Sequence, residues 1–260
     1  MKKILLSVAG FDPSSGAGIL MDLKVFEQFN FQGISILTSL TVQNTKEVKK
    51  VHCLPPGFLW EQYKILKDDI SFSGIKVGMV GCDDNIHVIS KILAENRDIP
   101  RVVDPVFKSS SGTWLLEKES IQHYISEISE KASLLTPNIE EAYLISGIRI
   151  KSFEDMKVAA KVIYSHIKIP CLIKGGNFKK TILDLLFDGR EFHHFEKEKI
   201  KNKVHGTGCF LSSSILSFLV KGMSLLEACS VAIQSTHQAM KKAVRLGSGQ
   251  YIISFPLAEK

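Results

Sequence analysis

Residues 202–222, NKVHGTGCFLSSSILSFLVKG, pass within a few positions from polar, glycine-bearing chain to an apolar helical pattern. A helix that only packs needs a cap, and Thr207 alone can supply one. Gly206 and Gly208 bracket that residue, which predicts a close approach to the backbone where a Cβ would obstruct. The first N–H groups of a helix lack intrahelical partners and lie at the positive end of its dipole, so they favour an anion. A glycine-rich turn between two elements is the alternative. Cys209 follows at once. A thiol at a helix N-terminus can have a lowered pKa, which makes it a candidate base or nucleophile; buried packing is the ordinary role. His205 stands four residues earlier but across a turn, which leaves its pairing with Cys209 open.

Other candidates are scattered along the chain. TPNIEEA sets Asn138 and Glu141 three apart at a helix start, hence on one face. Such a pair can hold a hydrated Mg²⁺, which prefers oxygen ligands and keeps waters. The same spacing is also that of a capping box. DPV offers Asp104, and KGG offers Lys174 as a point charge for phosphate. Standard motifs are missing. GFDPSSG has one residue too many for a P-loop and no lysine after it; Gly16-Ala17-Gly18 lacks the third small residue of a dinucleotide fingerprint; no G-x-S-x-G occurs.

The elements that must position these residues alternate from end to end. Strands are predicted at 3–10, 33–43, 47–54, 74–80, 101–106, 132–137 and 171–176, with a hairpin around Asp188-Gly189. Helical patterns fill the gaps, including 17–29, and two helices, 207–221 and 224–246, close the chain. This order predicts one α/β domain over 1–260, with a mostly parallel central sheet and helices on both faces. Ligands of open α/β sheets bind beyond the carboxyl ends of the strands. Asp12, Gln43, Asp104, Asn138, Lys174 and the Gly206–Cys209 loop should therefore converge on one edge, and together they point to MgATP.

Composition narrows the class. Of 260 residues, 45% are hydrophobic and 23% charged, which is ordinary for a globular protein. The net charge is +6, but the densest basic run, Lys197 to Lys203, is broken by Glu198 and holds no aromatic residue. A nucleic-acid platform would interleave rings with the charges, so none is expected. No apolar run reaches the length of a membrane helix. Cys53, Cys82, Cys171, Cys209 and Cys229 form no paired motif, and this odd, dispersed set predicts free thiols in a cytoplasmic protein.

At the level of whole motifs the chain resembles the hydroxymethylpyrimidine kinase/phosphomethylpyrimidine kinase family of thiamine biosynthesis, in the ribokinase-like superfamily. SVAGFDPSSGAGILMDLKVF, TSLTVQNT, IKVGMVG, DPVFKSSSG, LLTPNIEEA, IKGGNF and HGTGCFLSS carry the resemblance, in the family's order, over about residues 4 to 246. It implies a kinase acting with Mg²⁺ and ATP on 4-amino-5-hydroxymethyl-2-methylpyrimidine and on its monophosphate. Gly10, Asp22, Gln43 and Met79 would surround the pyrimidine. Lys174 and Asp104 would lie at the ATP phosphates, and Asn138 with Glu141 would organise Mg²⁺ and its waters. Gly206, Thr207 and Gly208 would offer N–H groups to the γ-phosphoryl, and Cys209 stands where the superfamily usually carries an aspartate base. Relatives imply a homodimer.

The lid departs from the pattern, because Lys108 follows DPVF directly and Ser109-Ser110-Ser111 come next. Some relatives that accept pyridoxal carry a cysteine in this lid, and residues 106–112 have none. Pyridoxal or pyridoxine kinase is the alternative activity. A silent pyrimidine-binding sensor on the same fold is another, although a sensor has no need of phosphoryl-transfer groups.

Overall fold

The computed structural model describes residues 2–128, 131–178 and 181–255. In chain order the elements are β1 (Ile4–Phe11), α1 (Gly18–Gln28), β2 (Gln32–Gln43), β3 (Val48–Cys53), α2 (Pro56–Asp69), β4 (Ile75–Val77), α3 (Asp84–Ala94) and β5 (Arg101–Val103). Then come α4 (Ile121–Glu127), β6 (Leu134–Leu135), α5 (Ile139–Ser146), α6 (Phe153–Ile167), β7 (Cys171–Phe178), β8 (Thr181–Phe187) and β9 (Phe192–Glu198). The described chain closes with β10 (Val204–His205), α7 (Thr207–Val220), α8 (Leu225–Lys241) and β11 (Tyr251–Ile252).

Among the described residues nine strands form one sheet in the order β3-β2-β1-β4-β5-β6-β7-β8-β9. Pairing is parallel from β2 through β7, while β3 pairs antiparallel with β2 at one edge, and β8 with β7 and β9 with β8 at the other. Alternation along the strands divides the core in two, since successive side chains face opposite sides of the sheet. Leu6, Val77, Val103, Leu135 and Ile173 pack on the side of α2 to α6. Leu5, Val102, Leu134, Leu172 and Leu186 pack on the side of α1, α7 and α8. Both faces are covered, as a parallel sheet requires.

The central strands are shorter than the apolar runs predict. β4 and β5 each keep three residues and β6 two. Pro105 and Pro137 lack the N–H that a ladder needs, so the chain bends away just past the sheet edge. These bends leave Asp104, Thr136 and Asn138 at that edge instead of inside the sheet. The last helix also stops early, at Lys241 and not at 246, because Val244 turns back to exchange both backbone hydrogen bonds with Ile252.

One expectation fails outright. Cys53 and Cys82 are joined as a disulfide, with Cα atoms 6.1 Å apart; Cys171, Cys209 and Cys229 are free. The two residues lie 29 positions apart, and the end of β3 and the turn after β4 bring them together. No spacing rule could have paired them. Among the described residues no helix is long and apolar enough to cross a membrane.

Candidate active site

The carboxyl ends of the strands open into a cleft of about 720 Å³. Asp12, Gln43, Asp104, Asn138, Lys174 and Gly206 to Cys209 all line it, as do Gly10, Met79 and Glu141. Asp22 does not. Its side chain is fully buried behind the wall, where Oδ2 takes hydrogen bonds from Lys76 Nζ at 2.8 Å and Ser7 Oγ at 2.6 Å. Ser213 Oγ donates to Oδ1 at 2.8 Å. Position 22 therefore reaches the cleft only through Lys76, which does line it.

Three regions succeed one another along the cleft. At one end Val48, Met79, Leu115 and Val106 make an apolar patch, with Gln43 paired to Val48 across β2 and β3. Met79 Sδ lies so close to Gly10 that a Cβ on that glycine would come within 2.8 Å of it. In the middle stand the charged groups and the start of α7. Lys197, Ile200, His237 and Met240, contributed by the chain around β9 and by α8, line the far end.

The start of α7 corrects the expected cap. The N-cap is Gly206, left-handed at φ 81°, and no side chain caps the helix; Thr207 is its first residue. Phe210 N–H is the first to turn back, onto Gly206 O at 2.9 Å. The N–H groups of Thr207, Gly208 and Cys209 thus lack intrahelical partners at the cleft wall. A Cβ on Gly206 would fall 1.8 Å from Gly16 O, so only glycine fits there. A Cβ on Gly208 would sit 3.1 Å from Asp104 Oδ2 and 3.3 Å from Lys174 Nζ. The helix start, the carboxylate and the ammonium therefore face one small volume.

Lys174 Nζ pairs with Asp104 and donates to Thr136 O at 2.7 Å. Burial opposes its charge, but Asp104 and Glu141 outweigh burial and raise its pKa further. It is a fixed cation. Asn138 and Glu141 do form a capping box: Asn138 Oδ1 accepts from Glu141 N–H at 2.9 Å, and Glu141 Oε2 from Asn138 N–H at 2.7 Å. The cap leaves Glu141 Oε1 free. Burial, with Asp104 adding and Lys174 opposing, lifts the Glu141 pKa to about 8. The buried Tyr124 hydroxyl has no partner; burial, then Asp104 and Glu141, push its ionisation well above the ordinary range.

Cys209 departs from the lowered pKa expected at a helix start. Burial raises it to about 11; Lys76 works the other way, but Asp22 and Asp104 add to the rise. Desolvation outweighs the helix dipole here, so the group is a thiol at neutral pH. His205 does not pair with it; the imidazole bonds to Asp12, Gln43 and Ser110. Lys108 of the lid is paired with Glu140 and lies 4.1 Å above the Trp114 ring, at the cleft wall.

Lys76 and the far-end residues escaped the sequence reading. A lysine inside the apolar run IKVGMV was the available signal for Lys76, since a buried charge demands a partner. Lys197 and His237 carry no motif, and only the folded chain brings them to the cleft.

Comparison with known proteins agrees with this geometry. The model of a family described as phosphomethylpyrimidine kinase matches residues 12–254. A hydroxymethylpyrimidine/phosphomethylpyrimidine kinase of Aquifex aeolicus is 39% identical, covering 97% of this chain and all of that protein. The phosphomethylpyrimidine kinase structure from Clostridium difficile superposes with a TM-score of 0.81 at 34% identity, covering 92% of this chain and 100% of the other. Staphylococcus aureus pyridoxal kinase in complex with pyridoxal superposes at 0.90 with 28% identity, covering 98% and 93%.

Two stability measurements check the electrostatics. Glu141 has a folded-state pKa near 8 against an ordinary 4.5, so its contribution to stability is lost as pH rises across that window. Glu141→Gln retains the cap, and urea unfolding of the free protein should then fall less steeply between pH 5 and 8. Parallel profiles would show an ordinary carboxylate. Lys76→Met strands the Asp22 carboxylate and should cost about 3–5 kcal/mol, with most of it recovered in Lys76→Met/Asp22→Leu. No recovery in the double variant would locate the loss in packing and not in the unpaired charge. The sequence and fold place the chain in the phosphomethylpyrimidine kinase family, with a ribokinase-like fold, and make it an ATP-dependent phosphotransferase.

Proposed function

We propose that the protein phosphorylates 4-amino-5-hydroxymethyl-2-methylpyrimidine and then its monophosphate, in thiamine biosynthesis. One observation carries the reading: an apolar patch and the Gln43 amide line the same cleft as an uncapped helix start and the Lys174–Asp104 pair. A small flat heteroaromatic fits the first, and a transferring phosphoryl group fits the second.

The pyrimidine ring lies against Met79, Val48 and Leu115 over Gly10, with Gln43 meeting its polar edge. An amide offers one donor and one acceptor, the pattern of an aminopyrimidine edge. The hydroxymethyl group then faces Gly206 to Cys209. Lys174 holds the ATP phosphates, and the three free N–H groups take the charge that develops on the γ-phosphoryl. Lys108 is placed to exchange Glu140 for phosphate when the lid closes. Cys209 accepts the alcohol's proton only as its thiolate, about one molecule in 10⁴ at pH 7 for a pKa of about 11, so it is a weak base and the proton otherwise leaves on a phosphoryl oxygen. Phosphoryl transfer tolerates this, because its transition state is loose and asks mainly for positioning and charge stabilisation.

The residues present fit Mg²⁺. Mg²⁺ prefers oxygen ligands, keeps waters and binds phosphate oxygens. Glu141 Oε1, left free by the cap, and Asn138 would hold those waters. When bound, the ion neutralises phosphate charge. Dependence on ATP supports a cytoplasmic setting. Exposed Leu40 and Val42 on β2, beside the edge strand β3, are surfaces that a second copy would cover in a homodimer.

Pyridoxal phosphorylation is the second reading, favoured by the close superposition on pyridoxal kinase. That agreement concerns the backbone, whereas the higher identity lies with pyrimidine kinases and the lid has no cysteine. ATP turnover with hydroxymethylpyrimidine, its monophosphate and pyridoxal, each supplied alone, decides between them. Both pyrimidines should be phosphorylated with kcat/KM well above that for pyridoxal. Turnover of pyridoxal alone would replace the proposal.

A further inference from the structure

The imidazole of His205 joins three segments that are distant in sequence. Its Nε2 lies 2.9 Å from Asp12 Oδ2 and 3.1 Å from the Gln43 amide; its Nδ1 lies 3.2 Å from Ser110 Oγ in the lid. The Asp12 carboxylate can only accept, and Ser14 holds its other oxygen through N–H at 2.8 Å and O–H at 2.7 Å. Burial works against the Asp12 charge, but His205 and Ser14 hold its pKa below the usual aspartate value. Nε2 must therefore carry a proton. Ser110 O–H then donates to Nδ1, which fixes that tautomer.

This determines which way Gln43 faces. Nε2–H points at Asp12 and cannot accept from an amide NH₂, so the Gln43 Oε1, not its NH₂, lies against His205 and shares that hydrogen. The NH₂ then reaches Thr41 Oγ1, 3.2 Å from the Gln43 amide group, which is free to accept because its own hydrogen goes to Phe11 O at 2.9 Å. Every group is satisfied in this orientation and not in the reverse. One amide hydrogen and one Oε1 lone pair remain for the cleft, in a fixed order.

We infer that His205 is a positioning residue that selects the substrate's hydrogen-bond pattern by locking the Gln43 amide in one orientation. The inference rests on the pyrimidine reading for what the amide meets. A 4-aminopyrimidine presents a donor beside a ring acceptor. Its 4-oxo counterpart, protonated on the ring nitrogen, presents the inverse order. A locked amide matches one and opposes the other, whereas an amide free to turn over accepts both.

The test is the ratio of kcat/KM for 4-amino-5-hydroxymethyl-2-methylpyrimidine to that for its 4-oxo counterpart. In His205→Ala the ratio should fall at least about tenfold, with KM for ATP within about twofold. His205→Gln, whose amide nitrogen takes the place of Nε2, should keep the ratio within about threefold of wild type. His205→Asn reaches only the Nδ1 position and should behave like alanine, which keeps the test decisive if the alanine variant does not fold. An unchanged ratio in His205→Ala, even with both rates lowered, would make the residue structural only, and a glutamine variant no better than alanine would equally overturn the assignment. Nitrogen-15 NMR of the free protein reads the same claim without substrate: His205 Nε2 should carry a proton, and the Nδ1–H tautomer would refute the locked orientation. If wild type turns over neither pyrimidine, the substrate reading falls, while the tautomer still decides the orientation.

Discussion

The contact of Gly206 with Gly16 O sets where α7 begins, and the cleft depends on that position. A side chain on Gly206 would reach within 1.8 Å of that carbonyl, and one on Gly18 within 2.3 Å of Gly10 O. Backbone therefore packs on backbone at two successive points. The first loop sits directly under the helix start, and the helix opens from a left-handed residue with no side chain over its N–H groups. Any bulk at Gly206 would part the loop from the helix and separate Asp12 and Gly10 from Lys174 and Asp104.

Two buried charge clusters flank that helix start. Lys76 with Asp22 lies on one side, and Lys174 with Asp104 and Glu141 on the other. Each of these two ammonium groups is neutralised within the protein. Burial, with the neighbouring carboxylates adding to it and the ammonium groups opposing, holds Cys209 as a thiol and Glu141 with a raised pKa in the free protein. A bound anion changes the balance, since the unpaired N–H groups have nothing else to serve them. Charge stabilisation is thus built into the fold before substrate arrives, which is the form that costs no reorganisation during transfer.

Much of this was legible in the sequence, for identifiable reasons. Strand and helix alternation follows from apolar periodicity, and the rule that ligands meet the carboxyl edge places Asp104, Asn138, Lys174 and Gln43 together without any knowledge of side-chain geometry. What failed depends on pairing across the chain. Asp22 and Lys76 lie 54 residues apart, so neither alone announces a buried ion pair. Thr207 lost the cap because backbone contact with Gly16 forces the left-handed turn one residue earlier. The Cys209 pKa went the opposite way because burial outweighed the dipole, and burial cannot be read from position in a motif. The pairing of His205 with Cys209 stayed open in the sequence because a turn lies between them, and that turn aims the imidazole at Asp12, 193 residues away.

The central claim is that fixed N–H groups and charges, more than a base, perform the transfer. Steady-state kinetics of Cys209→Ala and Gly208→Ala with the pyrimidine and ATP, both checked for wild-type unfolding, test it most directly. Cys209→Ala should keep both KM values within a few-fold and lower kcat by about 10²-fold, the low end for a general base. Gly208→Ala should be worse, because its Cβ enters the space between Asp104 and Lys174 that the phosphoryl group needs. A folded Gly208→Ala enzyme with wild-type kcat, or a Cys209→Ala enzyme more impaired than it, would contradict the account.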